Sequence, residues 1–229
     1  MDIVTLRKST WLRIAAMALV YFVTARLALK FAVVGDALFW PPSGIALAAL
    51  LLFGRRLWPG ILCGALLVNL VAGLPLSAAT GIALGNTLAA LLGAFLLRRK
   101  TGFNHHLHSQ QDVLRLLIYG SVVSTMVSAA NGAFWLTWPE GTIYGDFFSR
   151  TFLFWWMGDA LGVVLFTQAV IAFHRRDTLQ WTPKLQRMAL LMFCTLILLC
   201  AKHQQRHTLQ FGCPLQRIPA EESNHSLRK

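Results

Sequence analysis

Long apolar stretches separated by short polar segments dominate this chain. Several stretches reach the length of about 20 residues that an α-helix needs to cross the hydrocarbon core of a bilayer. Within each stretch the apolar residues run continuously and charged residues are rare. The pattern predicts an all-α protein, a polytopic bundle of transmembrane helices.

Six spans are clear, and a seventh apolar run is marginal. The predicted spans are residues 11–31, 37–53, 57–76, 78–97, 113–135 and 151–173. The seventh run, residues 188–201, has a length that fits either a short span or a helix lying at the membrane interface. Residues 202–229 are polar and basic and have no hydrophobic period, so we expect a disordered tail. These features divide the chain into a membrane domain, residues 10–201, and a tail, residues 202–229.

Composition and charge support a membrane protein. Hydrophobic residues make up 56% of the chain and charged residues 13%, which would leave large apolar patches on a soluble domain. The formal net charge of +12 sits in short Lys and Arg clusters at the ends of apolar runs, as in cytoplasmic loops. We therefore expect a cytoplasmic N-terminus in the bacterial inner membrane and no nucleic-acid partner. The four arginines that we assign to topology and lipid head groups are Arg55, Arg56, Arg98 and Arg99.

Two prolines and a glycine interrupt the start of the second apolar run, in the segment Trp40-Pro41-Pro42-Ser43-Gly44. Lipid offers no water to an unpaired backbone, so such a break is tolerated only against protein or a wet cavity. Buried irregular backbone of this kind favours a recognition site. We expect this segment to take part in sensing a ligand.

Asp159 is the sharpest single candidate for function. It follows Arg150 by about 13 Å of helix, at 1.5 Å per residue, which places it near the middle of the bilayer. A carboxylate there costs a few kcal/mol or more unless it is paired, protonated or hydrated. Trp155 and Trp156 precede it by four and three residues, so one or both lie on its helical face, and we assign Trp156 to the site. The functional interpretation is a ligand contact, a proton-linked switch or an ion-pair anchor. The structural interpretation is an ion pair with Arg26 or Lys30.

Small residues recur four positions apart in several apolar runs. Such spacing lets helix backbones approach closely where lipid provides no hydrophobic drive for association. The pattern predicts a compact bundle. The glycines that we assign to helix packing are Gly60, Gly64, Gly81, Gly85, Gly158 and Gly162.

Sequence signatures of catalysis are not evident. We find no phosphate-binding glycine loop, dinucleotide fingerprint, metalloprotease motif or serine-hydrolase motif. His105, His106 and His108 lie close together, but the pattern favours a solvated loop over a metal site. We predict no catalytic residue, no metal and no cofactor.

Four blocks of the sequence, in order, resemble the MASE1 family of bacterial integral membrane sensor domains. They are Trp40-Pro41-Pro42-Ser43-Gly44-Ile45-Ala46-Leu47-Ala48, Phe53-Gly54-Arg55-Arg56-Leu57-Trp58-Pro59-Gly60, Gly85-Asn86-Thr87-Leu88 followed by Leu97-Arg98-Arg99, and Trp156-Met157-Gly158-Asp159-Ala160-Leu161-Gly162-Val163-Val164. The resemblance implies a multi-helix sensory module that feeds a diguanylate cyclase, a cyclic-di-GMP phosphodiesterase or a histidine kinase. No motif of such an output domain follows in this sequence, so we expect a sensor that acts on a separate signalling protein.

Two other functions are open at this stage. Broken helices and a carboxylate at the midplane also suit a small transporter component. A truncated sensor paralogue without function is the third interpretation. In the sensory interpretation, the partners are membrane lipids, a small-molecule stimulus of unknown identity and the signalling protein.

Overall fold

A computed structural model describes residues 3–30, 39–100, 110–138 and 146–174, without the side chains of residues 3–9, 100 and 146. The seventh apolar run, the tail and the boundary at residue 201 lie outside the described residues. So do the three neighbouring histidines. The predictions made for these segments are therefore neither supported nor contradicted by the structure.

Each of the six predicted spans contains a helix. The helices are α1 (Ile3–Lys30), α2 (Pro41–Phe53), α3 (Trp58–Val71), α4 (Leu76–Lys100), α5 (Gln110–Thr137) and α6 (residues 146–174), with a short 3₁₀ turn at Arg55–Leu57. Two helices change their pitch along their length. In α5 the segment Leu116–Val123 is π-helical, and in α6 the segment Val163–Thr167 is π-helical. The prediction of an all-helical protein is confirmed for the described residues.

Four of the predicted spans are confirmed as helices long and apolar enough to cross a membrane. They are Thr10–Lys30, Leu76–Arg99, Gln110–Thr137 and Phe147–His174. The other two helices are shorter than predicted. α2 has 13 residues and α3 has 14, which gives each a length of about 20 Å against a hydrocarbon core of about 30 Å.

Proline and glycine set the limits of the two short helices. Pro41 and Pro42 open α2, and Pro59 lies in the first turn of α3, where a missing N–H does least harm. Gly54 follows α2 with φ +94°, and Gly73 follows α3 with φ +89°. Residues with a side chain rarely adopt these backbone angles, so glycine permits the chain to turn sharply at the end of each helix. The predicted break before α2 is therefore the beginning of a helix.

The short helix α2 lies inside the bundle. The other five helices pack in the order α1, α3, α4, α5, α6, and α2 contacts α1, α4 and α6. Nine of its 13 residues are buried, which is more than a single contact face would require. Other helices cover α2 on several sides, so it lies at the centre of the bundle.

The carboxyl end of α2 is capped by an arginine of another helix. The guanidinium group of Arg98 donates hydrogen bonds to the carbonyl oxygens of Leu50, at 2.9 Å, and Leu51, at 2.6 Å. A cation suits these carbonyls because the end of a helix carries partial negative charge. Arg55 and Arg56 directly follow α2 and are exposed, and Arg99 lies over the ring of Phe95 at 5.2 Å.

Glycines bring α3 against α1 at close range. A Cβ atom added to Gly60 would lie 2.5 Å from the carbonyl oxygen of Ile14. One added to Gly64 would lie 2.7 Å from the carbonyl oxygen of Ala18 and 2.8 Å from Cβ of Tyr21. Neither position has room for a side chain, so the contact depends on the absence of one.

A similar contact joins α4 to α5. Gly81 packs against the indole ring of Trp135, and Gly85 packs against the side chain of Asn131. The amide group of Asn131 donates a hydrogen bond to the carbonyl oxygen of Gly81 at 2.7 Å. Close packing here is combined with a polar bond between helices.

Replacing Gly64 should test the α1–α3 contact. We expect Gly64→Val to destabilise the protein by about 1–3 kcal/mol, because the new side chain would force the two backbones apart. The measurement is the melting temperature of the purified protein in detergent. Cys63 is the next residue on α3 and is exposed, so Cys63→Val is the matched control. Equal melting temperatures for the two variants would contradict the close contact.

Candidate functional site

The first turn of α2 docks on the middle of α6. The backbone N–H of Trp40 donates a hydrogen bond to the carbonyl oxygen of Gly158 at 2.8 Å. Pro41 and Pro42 are buried and have no N–H to satisfy, and the N–H of Ser43 bonds to the carbonyl oxygen of Trp40 at 3.2 Å. A helix normally begins with four unpaired N–H groups, so the two prolines allow this beginning to be buried.

Two glycines make the docking possible. A Cβ atom on Gly44 would fall onto the carbonyl group of Gly162, and one on Gly162 would fall onto the carbonyl group of Trp40. The hydroxyl group of Thr167, in the π-helical segment of α6, donates a hydrogen bond to the carbonyl oxygen of Gly44 at 3.0 Å. The two backbones are therefore in direct contact.

Asp159 lies at this joint between α2 and α6. It is 1% exposed, and its Oδ1 accepts a hydrogen bond from the hydroxyl group of Ser43 at 2.5 Å. Ser43 belongs to the first turn of α2, where the partial positive charge of the helix end favours a carboxylate. The second oxygen, Oδ2, is buried and has no hydrogen-bond partner among the described residues.

The ion pair considered for Asp159 is not present in the described part of the bundle. Neither Arg26 nor Lys30 lies within salt-bridge distance of the carboxyl group. Arg26 is half-buried and Lys30 is exposed at the end of α1. The interaction that holds Asp159 is thus a hydrogen bond from a neutral hydroxyl group.

A second set of polar side chains crosses the bundle beside Asp159. Asn86 on α4 donates from Nδ2 to the hydroxyl oxygen of Tyr21 on α1, at 3.1 Å. Ser128 on α5 donates to Oδ1 of Asn86 at 2.7 Å and accepts from the indole N–H of Trp155 on α6 at 3.2 Å. The network joins four helices. The hydroxyl proton of Ser128 and the indole N–H of Trp155 are both used as donors within this network. These two groups lie near the carboxyl group of Asp159.

A cavity of about 280 Å³ lies between these helices. It is found where α1, α3 and α5 end and where α2 and α6 begin, at the opposite end of the bundle from Arg98. Two of its lining residues are at the rim, with Leu29 36% exposed and Phe154 54% exposed. The lining residues are Leu29, Trp40, Val68, Asn69, Ala72, Leu74, Ile82, Asn86, Leu136, Thr151, Phe154, Trp155, Gly158 and Asp159.

The structure brings most of the predicted sensing residues together. Trp40 and Asp159 line the cavity, while Pro41, Pro42 and Gly44 form the docked turn behind it. Ser43 connects the turn to Asp159.

Trp156 lies elsewhere. Its indole N–H donates to the carbonyl oxygen of Val122 on α5 at 3.0 Å, and its ring stacks on Phe152. Trp155 lines the cavity instead. Residues three and four positions apart are both neighbours on a helix, so spacing alone did not distinguish these two tryptophans.

Several residues of this region carry only weak signals in the sequence. Asn86 and Ser128 are polar residues inside apolar runs, which indicates hydrogen bonds between helices without naming their partners. Tyr21 carries no such signal, yet it is 1% exposed and belongs to the network. Asn69 lines the cavity and donates to the carbonyl oxygen of Ala65 within its own helix at 2.9 Å.

A known protein family covers the part of the chain that forms this site. The MASE1 family matches residues 11–214, which include the docked turn of α2, Asp159 and every residue that lines the cavity. The chain belongs to the MASE1 family. The resemblance found in the four sequence blocks is thereby confirmed, and the protein is a MASE1 membrane sensor domain in an integral membrane protein.

One curated relative aligns with most of the chain. The chain is 26% identical over 159 residues to the probable diguanylate cyclase DgcE of Escherichia coli (strain K12). The alignment covers 67% of this MASE1 chain and 14% of that protein, so the chain spans a small part of its relative's length. No solved structure matches the chain.

A double-mutant cycle should measure the bond between Ser43 and Asp159. We expect Ser43→Ala and Asp159→Ala to be coupled by about 1 kcal/mol or more, because the hydrogen bond between the hydroxyl group and the carboxyl group is lost in either variant. The measurement is the free energy of unfolding of the four proteins in detergent.

The same cycle with Arg26→Gln in place of Ser43→Ala is the control. Arg26 makes no salt bridge with Asp159, so its coupling energy should lie near zero. A strong coupling to Arg26 with none to Ser43 would show that an ion pair holds the carboxylate.

Proposed function

We propose that this MASE1 domain is a sensory unit of bacterial signal transduction that regulates an output protein. The output protein makes or degrades cyclic-di-GMP or is a histidine kinase. Family membership supports the sensory role, and the relative described as a probable diguanylate cyclase supports the first class of output. The observation that carries the proposal is the cavity beside Asp159, which lies at a joint between two helices. It offers a buried carboxylate oxygen that has no partner among the described residues.

The position of the cavity suggests how a signal passes. A ligand shifts the bundle only if it binds two arrangements of the helices with different affinity. The joint between α2 and α6 forms one wall of the cavity, so occupancy acts directly on their contact. The π-helical segment Val163–Thr167 directly follows this joint on α6, and π-helical turns are frequent at functional sites. We infer that α6 carries the change toward its end at His174.

We further propose that all six helices cross the inner membrane and that the N-terminus is cytoplasmic. Arg55, Arg56, Arg98 and Arg99 support this orientation, since basic residues collect in cytoplasmic loops and contact anionic lipid head groups. The short helix α2 is surrounded by other helices, so its length need not match the lipid thickness.

Cysteine labelling in intact cells should test this topology. In a background without the four native cysteines, we expect Ser77→Cys to react with a membrane-impermeant maleimide, because it precedes the body of α4 at the outer side. Arg56→Cys should react only after the cells are permeabilised. Both residues are exposed, so accessibility within the bundle does not separate them.

Labelling of both Arg56→Cys and Ser77→Cys in intact cells would contradict six spans, because α2 and α3 would then begin and end on the outer side with only the four long helices crossing. Labelling of Arg56→Cys without Ser77→Cys would show six spans in the opposite orientation.

Photo-crosslinking in the native bacterium should identify the output protein. A benzophenone amino acid at Phe173, which is 66% exposed near the end of α6, should capture a protein that carries a cyclase, phosphodiesterase or kinase domain. Deletion of the gene should change the activity of that protein, measured as the cellular level of cyclic-di-GMP or as phosphorylation of the kinase. Leu76 is equally exposed at the opposite end of the bundle and is the control position.

Crosslinks that are the same from both positions, together with no change on deletion, would contradict a signalling role.

A further inference from the structure

We propose that the cavity binds a small organic ammonium ion, a protonated primary amine with an apolar body. The inference deepens the proposed function, because it takes this cavity as the sensory site and names the chemical class of its ligand. It depends on three features of the cavity: a carboxyl group without a cationic partner among the described residues, aromatic side chains in the wall, and the acceptor oxygen of an amide, Asn69.

The carboxyl group of Asp159 has no cationic partner in the described part of the bundle. The residue is 1% exposed, its Oδ1 accepts from a neutral hydroxyl group, and its Oδ2 has no partner within the described ranges. No Lys, Arg or His is found among the described residues that line the cavity. The beginning of α2 supplies only a partial positive charge. Its stabilising effect is smaller than the free-energy cost of burying a full negative charge. A cation in the cavity would supply the missing partner.

Aromatic rings form the walls around this carboxylate. Trp40, Phe154 and Trp155 line the cavity, and tryptophan is the strongest of the aromatic partners for a cation. The remaining wall is largely aliphatic, with Val68, Ile82 and Leu136 among its residues. An ammonium group with an apolar body is complementary to both kinds of surface, whereas a hydrated metal ion is not.

Hydrogen-bond acceptors among the lining residues favour an ammonium group that retains N–H donors. Asn69 uses its Nδ2 within α3, and its Oδ1 has no hydrogen-bond partner among the described residues. Oδ2 of Asp159 is a second unused acceptor that lines the same cavity. A primary ammonium group has three N–H donors, while a quaternary group has none.

The volume of the cavity limits the size of the ligand. At about 280 Å³ it lies just below the range for small-molecule sites, which run from about 300 to 1,000 Å³. A peptide or a lipid tail would not be enclosed.

Calorimetry on the purified full chain in nanodiscs should test the inference with three probes of the same shape. They are 2-phenylethylamine, which is a cation at neutral pH, 2-phenylethanol, which is neutral, and phenylacetate, which is an anion. We expect the amine to bind at least about tenfold more tightly than the alcohol, and phenylacetate not to bind, because the carboxylate attracts one and repels the other.

Asp159→Asn keeps the shape of the side chain and removes its charge. It should weaken binding of the amine by about tenfold or more and leave the alcohol unchanged. Asp112→Asn is the matched control, because Asp112 pairs with Arg115 on α5 and does not line the cavity. If Asp159→Asn does not fold, Asn69→Leu serves instead, and we expect it to weaken amine binding by about threefold or more.

Three results would overturn the inference: equal affinity for amine and alcohol, no binding of the amine at millimolar concentration, or amine affinity unchanged in both variants. Its failure is distinguishable from failure of the proposed function. A chain that crosslinks to an output protein and alters its activity, yet ignores amines, is a sensor for another ligand. A chain that binds the amine through Asp159 but has no effect on deletion would have the site without the signalling role.

Discussion

The bundle depends on burying the beginning of one helix against the middle of another without leaving polar backbone unpaired. An unpaired N–H group away from water costs several kcal/mol, and lipid offers no alternative partner. The chain meets this constraint at α2 with Pro41 and Pro42, which have no N–H, and with the bond from Trp40 to Gly158. Gly44 and Gly162 then let the two backbones touch. The helix that results is short, but it is held from several sides.

The same joint accounts for the location of the cavity. Because α2 begins inside the bundle, the space next to its first turn is enclosed by the ends of neighbouring helices. Asp159 lies in this space beside Ser43, and a polar network through Asn86 and Ser128 links the opposite walls. A site built from helix ends is suited to signalling, since its occupancy acts on the contacts that position those helices. A carboxylate in the wall makes binding depend on the charge of the ligand, which a purely apolar cavity would not do.

Much of the fold was predictable from the sequence, and the contacts of the site were not. Continuous apolar runs located all six described helices, because the bilayer demands a minimum length of apolar helix. Helix ends were less accurate where proline and glycine act: α2 and α3 are shorter than their apolar runs. Asp159 stood out because a carboxylate inside an apolar run is costly. Its partner Ser43 is 116 residues away, however, and no periodicity reports such a pairing. The choice between Trp155 and Trp156 likewise depends on the rotation of α6 against α5, which is a property of packing.

Amide exchange at Trp40 tests the central claim most directly. This residue precedes α2, so its N–H has no partner within the helix. In the part of the chain that the structure describes, only the bond to Gly158 protects it. In a sample labelled with nitrogen-15 at tryptophan and held in nanodiscs, exchange of this amide with heavy water can be followed by NMR. Docking of α2 on α6 predicts slow exchange, as for an amide inside a helix. Exchange at the rate of an unstructured peptide would show that the beginning of α2 is not held against α6.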